Sequence, residues 1–150
     1  MDDFEASLNR VLVEIFNYIL KYEEMSLKKA LGVQVTITEA HMIEVLGREE
    51  NEGATVSKLA SILNIAMPTA TVAVRKLEKK GFAKKVPCEK DGRRTIISLT
   101  DLGKKIERVH LIFHERMVRN ISAQLVASEK QVVLRVVKML GDFFRMKVDE

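Results

Sequence analysis

The chain has 150 residues, 47% apolar and only 5% aromatic, with no tryptophan, which suits a single α-rich domain or one protomer of an assembly. One cysteine, Cys88, excludes an intrachain disulfide; no apolar run reaches membrane-spanning length and no basic-then-apolar leader opens the chain, so a cytoplasmic protein without membrane contact is expected. The net charge of +4 is unevenly spread: residues 1–68 hold 6 basic and 11 acidic side chains, residues 69–94 hold 9 and 3, and residues 95–150 hold 10 and 7.

Asp2 and Asp3 open a long helix, where negative charge complements the helix dipole. Phe4, Leu8, Val11, Leu12, Ile15, Phe16, Ile19 and Leu20 recur along it at helical spacing, to about Leu31, and form a broader apolar stripe than one partner helix needs. Gly32 ends it. Val33 to Ile37 reads as an extended link, and Thr38 as the cap of a helix carrying Ile43, Val45 and Leu46 and ending near Glu49. Asn51-Glu52-Gly53 is a turn. Thr55 then caps a short helix with Val56, Leu59, Ala60 and Leu63 on one face. After a break at Asn64-Ile65-Ala66-Met67, Pro68 sits where a helix can start without losing a hydrogen bond. That helix carries Ala70, Ala73, Val74 and Leu77 on one face and stops at Gly81, a C′ glycine. Two short helices joined by a tight turn make a helix-turn-helix.

Phe82 to Val86 can form one strand, Glu89-Lys90-Asp91-Gly92 a turn, and Arg94 to Leu99 the return strand. Thr100 caps a second long helix with Leu102, Ile106, Val109, Ile112, Phe113, Met117, Val118 and Ile121 apolar. Ser128-Glu129-Lys130-Gln131 reads as a capping box opening a last helix with Val132, Val133, Val136, Val137, Leu140, Phe143 and Phe144. The fold class is mainly α with a small two-stranded β wing, a winged helix-turn-helix. Residues 38–100 form the DNA-binding lobe, and residues 1–37 and 101–150 supply helices whose apolar stripes mark an association surface, most simply that of a two-fold homodimer.

The basic segment 69–94 coincides with the second helix and the wing, where double-stranded DNA would present its phosphates. With Ala70, Ala73, Val74 and Leu77 facing the core, Pro68, Thr69, Thr71, Val72, Arg75 and Lys76 face outward. Thr69 and Thr71 can bond base edges or phosphates, Val72 suits a thymine methyl, Arg75 suits guanine O6/N7, and Lys76 suits phosphate. Thr55, Ser57 and Lys58, at the start of the preceding helix, and Lys90 and Arg94, on the wing, are placed against the backbone. An enzyme is not expected: there is no nucleophile elbow, P-loop, dinucleotide glycine pattern or HExxH, and no cofactor is implied.

The run Thr55-Val56-Ser57-Lys58-Leu59-Ala60, the helix end Leu77-Glu78-Lys79-Lys80-Gly81, the wing pair Asp91-x-Arg93 and the closing Leu99-Thr100-x-x-Gly103-Lys104 resemble the MarR family of winged-helix transcription regulators. The resemblance implies a triangular dimer with interlocked N- and C-terminal helices, bound to a pseudo-palindromic operator. It also implies that the Asp91 carboxylate orients the Arg93 guanidinium into the minor groove. Many family members carry arginine where this chain has Val72, and that departure points to an A·T-rich operator.

Three further strings resemble the FabT-like branch, repressors of fatty-acid-synthesis genes. They are Ile15-Phe16-Asn17-x-x-Leu20-x-x-Glu23-Glu24, Glu39-x-His41-x-Ile43-Glu44-Val45-Leu46-Gly47 and His110-x-x-Phe113-His114-x-x-Met117-Val118. This resemblance implies acyl-acyl carrier protein as co-repressor and a pocket lined by Phe16, Ile19, Leu20, Met42, Val45, Phe113 and Met117, with His41, His110 and His114 beside it. A small hydrophobic or phenolic effector, with control of efflux or transport genes, is the alternative. The histidines are read first as hydrogen-bonding groups coupling pocket to DNA lobe. A zinc site of His41, His110 and His114 with Glu23 or Glu24 is the other reading, since some MarR regulators sense zinc.

Overall fold

The computed structural model describes residues 2–49, 54–88 and 94–149. Among these, six helices and one antiparallel strand pair run in the order α1 (Asp3–Leu31), α2 (Ile37–Arg48), α3 (Val56–Ile62), α4 (Met67–Lys79), β1 (Ala83–Pro87), β2 (Thr95–Leu99), α5 (Asp101–Ala123) and α6 (Ala127–Asp149). The expected turns at 51–53 and 89–92 lie outside the described residues.

Local chemistry fixes the boundaries. Asp2 caps α1 and exchanges bonds with Glu5 in a capping box, and Gly32 ends the helix at φ 67°. Two caps differ from expectation. Thr36, not Thr38, caps α2, because Glu39 stands three residues later and returns a bond to the Thr36 amide at 2.9 Å. At α6 the bond to the helix start comes from Glu129, whose carboxylate accepts from the Val126 amide at 2.9 Å. Ser128 therefore lies inside the first turn and does not cap it.

In α4 the C-terminus closes as a Schellman motif. The Gly81 amide, with the residue at φ 73°, donates to Glu78 and the Phe82 amide donates to Leu77, both at 2.9 Å. The strands pair from Ala83 opposite Leu99 to Pro87 opposite Thr95. Ala54 adds an isolated bridge, its carbonyl accepting from the Ile97 amide at 2.7 Å, and so ties the entry to α3 onto β2.

The chain divides into two compact units, residues 1–113 and 114–150. In the first, one apolar core joins Leu27 of α1, Met42, Ile43 and Leu46 of α2, Leu59 of α3, Val74 and Leu77 of α4, Ile97 of β2 and Ile106 of α5. Burying each such side chain contributes about 1.5–3 kcal/mol. Within α1 the buried residues are Glu23 and Leu27, so Phe4, Val11 and Phe16 of the expected stripe are exposed. The second unit holds the end of α5 and all of α6. None of α6's described side chains is buried, and Val133, Leu134, Val137, Phe143 and Phe144 are exposed. No single helix is long and apolar enough to cross a membrane, among the described residues.

Candidate DNA interface and a buried carboxylate–imidazole cluster

The α3 and α4 axes turn by 112° across residues 63–66, within the usual range for a helix-turn-helix. The turn depends on Asn64, which adopts φ 49°; the short polar side chain of asparagine tolerates this left-handed region better than most. The Ile65 amide then reaches back to the Ala60 carbonyl at 3.0 Å. Ala66 supplies no side-chain cap to α4, and Pro68 in the first turn removes an amide that would lack a partner.

Ala70, Val74 and Leu77 are buried, whereas Pro68, Thr69, Val72, Arg75 and Lys76 are exposed, so the expected reading face of α4 is presented outward. Thr71 is half-buried, and its hydroxyl donates to the Met67 carbonyl at 2.9 Å. Its proton is thus committed within the helix, and only acceptor capacity remains for DNA.

Thr55 caps α3, accepting from the Lys58 amide at 3.2 Å and lying 2.9 Å from the Ser57 hydroxyl. Lys58 is paired with Glu49, and Lys85 with Glu78 at 3.0 Å. Sequence reasoning missed both partners, which reduce the free positive charge of this face. Thr55, Ser57, Lys58 and Arg94, all expected to face the DNA backbone, share one concave cleft with Cys88. Lys90, Asp91 and Arg93, the other wing residues, lie outside the described residues.

Two further connections tie the end of α4 to α2 and α5. At its C-terminal end the Thr100 hydroxyl donates to the Gly81 carbonyl at 2.6 Å and accepts from the Gly103 amide at 3.1 Å, while the Thr100 amide donates to Phe82 at 3.1 Å. Beside it the Lys80 ammonium binds the Glu39 carboxylate at 2.7 Å and the Gln34 carbonyl at 3.2 Å.

Among the described residues, the polar side chains buried in the first unit are Glu23 of α1 and His110 of α5, at 1% and 0% exposure. The His110 Nε2 lies against the Glu23 carboxylate, and its Nδ1 lies 3.4 Å from Glu44 of α2. His41, one turn before Glu44, places its ring 5.7 Å from His110, edge to face. One ligand atom each from Glu23, His41 and His110 falls within 4.8 Å of the others, a carboxylate-and-imidazole set of the kind that binds zinc. His114 is half-buried on the second unit. The sequence signalled these histidines, but not that Glu23 rather than Glu24 turns inward.

Of the expected effector-pocket residues, Met42 and Phe113 are buried, Ile19, Val45 and Met117 are half-buried, and Phe16 and Leu20 are exposed. Tyr22, which the sequence reading passed over, packs its ring 5.3 Å from that of Phe113. Met42 also forms part of a cleft between α2 and α4.

The MarR family model matches residues 35–95. The crystal structure of Streptococcus pneumoniae FabT in complex with DNA superposes with a TM-score of 0.83 at 30% identity, covering 94% of this chain and 97% of that one. The transcriptional regulator AdcR of Streptococcus pneumoniae is 28% identical over 141 residues, 92% of each chain. The Staphylococcus aureus MepR–DNA complex, at 22% identity and a TM-score of 0.68, shares the fold. With its helix-turn-helix, strand pair and outward basic helix, the chain belongs to the MarR family of DNA-binding transcriptional regulators.

Proposed function

We propose that this regulator is a cytoplasmic repressor of fatty-acid-synthesis genes that binds a pseudo-palindromic, A·T-rich operator as a homodimer, with acyl-acyl carrier protein as co-repressor. The observation that carries this reading is the likeness to FabT, which extends beyond the DNA-binding lobe to 94% of the chain. The dimer is supported by the apolar residues α1 and α6 expose, such as Phe4, Val11, Phe143 and Phe144, which a second copy would cover. Two α4 helices would then enter successive major grooves, with half-sites about one helical turn apart. Thr69, Val72 and Arg75 would face base edges. Lys76, Ser57 and Arg94 would meet phosphates, with Asp91 and Arg93 at the minor groove.

A second reading, a zinc-responsive regulator of transport genes, is favoured by the Glu23, His41 and His110 cluster. Glu44 stands by to orient His110 or to complete the ligand set. Bound zinc would hold α1, α2 and α5 together at this cluster, with the His41 ligand on its exposed side.

One titration separates the readings. Fluorescence anisotropy is measured on DNA from upstream of the organism's fatty-acid-synthesis genes and on a scrambled duplex, with long-chain acyl-acyl carrier protein, zinc sulfate or EDTA added. The first reading expects the acyl carrier to raise specific affinity at least tenfold and zinc or EDTA to change nothing. A response to zinc that EDTA reverses, with none to the acyl carrier, replaces it by the second. No preference for that DNA over the scrambled duplex under any condition removes both.

A further inference from the structure

Thr69 and Thr71 look alike in the sequence, but the fold of α4 gives their hydroxyls opposite characters. The Thr71 hydroxyl donates to the Met67 carbonyl one turn earlier, at 2.9 Å, a local bond that holds the oxygen in place and aims its proton along the helix. A threonine hydroxyl has one proton and two lone pairs, so Thr71 turns an acceptor toward any partner. The Thr69 hydroxyl makes no such bond among the described residues and keeps its proton to give. On the helix surface Thr71 adjoins Pro68, three residues before it, and Arg75, four after it. Both are exposed and Thr71 is half-buried, which places it at the edge of the reading face.

An acceptor on this face has few partners in B-DNA. Phosphate oxygens, guanine O6 and N7, adenine N7 and thymine O4 are acceptors themselves, and the major-groove donors are the exocyclic amino groups, adenine N6 and cytosine N4. Turning the Thr71 proton outward to a phosphate would forfeit its bond to Met67. We propose that Thr71 is a specificity-determining residue that reads one exocyclic amino group in each half-site through its hydroxyl oxygen. In an A·T-rich operator that group is adenine N6. A guanine or thymine in its place sets O6 or O4 against the Thr71 oxygen, acceptor against acceptor. Arg75 lies one helical turn, about 5.4 Å, further along, so the amino group stands about one or two base pairs from the pair that Arg75 meets, at about 3.4 Å per pair. Methylation of that amino nitrogen removes the donor, which makes the contact sensitive to base methylation. The proposal rests on α4 being the recognition helix and not on which genes are controlled.

The test uses the sequence that the full chain itself selects from a pool of random duplexes. Each adenine is replaced in turn by purine, which lacks the amino group, or by N6-methyladenine, in which a methyl takes the place of the hydrogen not used in pairing; each cytosine is replaced by N4-methylcytosine. At one position in each half-site these changes should weaken binding by the unmodified protein about three- to tenfold, the worth of one hydrogen bond. Thr71→Val, of the same shape, should lose the same factor on the parent duplex and nothing more on the substituted one. Thr71→Ser, which keeps the hydroxyl, should stay sensitive, and so should Thr69→Val. Melting of Thr71→Val at the parent's temperature shows that the lost binding is not lost fold. Selection of no sequence, or an amino-group penalty as large in Thr71→Val as in the unmodified protein at every position, would overturn the proposal. Arg75→Ala separates the causes of failure. If it relaxes the selected preference while Thr71→Val keeps the full penalty, Thr71 alone is misassigned; if neither changes it, α4 is not the helix that reads DNA.

Discussion

Gly103 is the position where one methyl group should do the most damage. A Cβ built there falls far inside contact distance of the Phe82 carbonyl oxygen, 3.1 Å from the Phe82 carbonyl carbon and 3.2 Å from Leu99 Cδ2. The obstacle is backbone, held by the β1–β2 pairing and by the Schellman turn of α4, so it cannot rotate aside. In Gly103→Ala the start of α5 must retreat by roughly an ångström or more, an overpacking strain of about 1–3 kcal/mol. The retreat pulls on the Thr100 bonds to Gly81 and Phe82, each worth about 1 kcal/mol net. Against this, alanine gains about 1 kcal/mol in helix propensity. The balance is a loss of about 2–4 kcal/mol, or roughly 5–15 °C in Tm for a chain of this size. Gly81→Ala is the comparison: no atom lies within 4 Å of its Cβ, so only the left-handed backbone penalty of about 1–2 kcal/mol applies. Thermal unfolding followed by circular dichroism decides. A Gly103→Ala protein as stable as the parent, or less affected than Gly81→Ala, would refute the packing argument.

Arg75→Ala should cost about 1–3 kcal/mol of operator binding and narrow the preference over scrambled DNA, whereas Lys76→Ala should weaken both duplexes alike and lower the salt dependence by about one charge; anisotropy across a salt series separates them. Thr36→Ala should lose about 1 kcal/mol of stability with the α2 cap, while Thr38→Ala should lie within about 0.5 kcal/mol of the parent; urea unfolding of both shows which threonine caps. Glu23→Leu, which leaves His110 without its α1 partner in a buried site, should cost about 3–5 kcal/mol, whereas Glu24→Leu, one residue away and exposed, should cost little.

The winged helix was legible because its punctuation is local. Pro68, Gly81 and Thr100 each impose a backbone state on the spot, and each stands where the residue alone places it. The capping errors show where local reading fails. Thr36 and Thr38 are both plausible caps, and only the reciprocal bond from Glu39 decides between them. At α6, Ser128 and Gln131 have the letters of a capping box, but a charged carboxylate at Glu129 is the stronger partner for an amide at a helix start. Long-range pairs left no trace in the spacing. Nothing near Lys80 announces Glu39, 41 residues earlier, and nothing near Ala54 announces Ile97. Glu23 and Glu24 are indistinguishable until α1 is docked, when helical geometry turns one inward and the other out.

The two connections at the end of α4 also bear on how any signal could reach DNA. Lys80 fastens α4 to Glu39 at the start of α2, the helix that carries His41 and Glu44. Thr100 fastens it to the start of α5, the helix that carries His110. The cluster sits where α1, α2 and α5 meet, so a change in the His110 contacts to Glu23 and Glu44 acts on two of the elements tied to α4, which also packs on α3 and β1. Packed helices shift as rigid bodies more readily than they bend, and a shift of α2 against α5 would pull on α4 through these links. Removing one of the links tests this coupling. Lys80→Ala removes one link at an exposed position and leaves the cluster and the reading face intact. If the cluster is the sensor, this variant should keep its binding of the effector, zinc or acyl carrier, while the effector's influence on operator affinity shrinks. An unchanged influence would show that the α2 link carries none of the coupling.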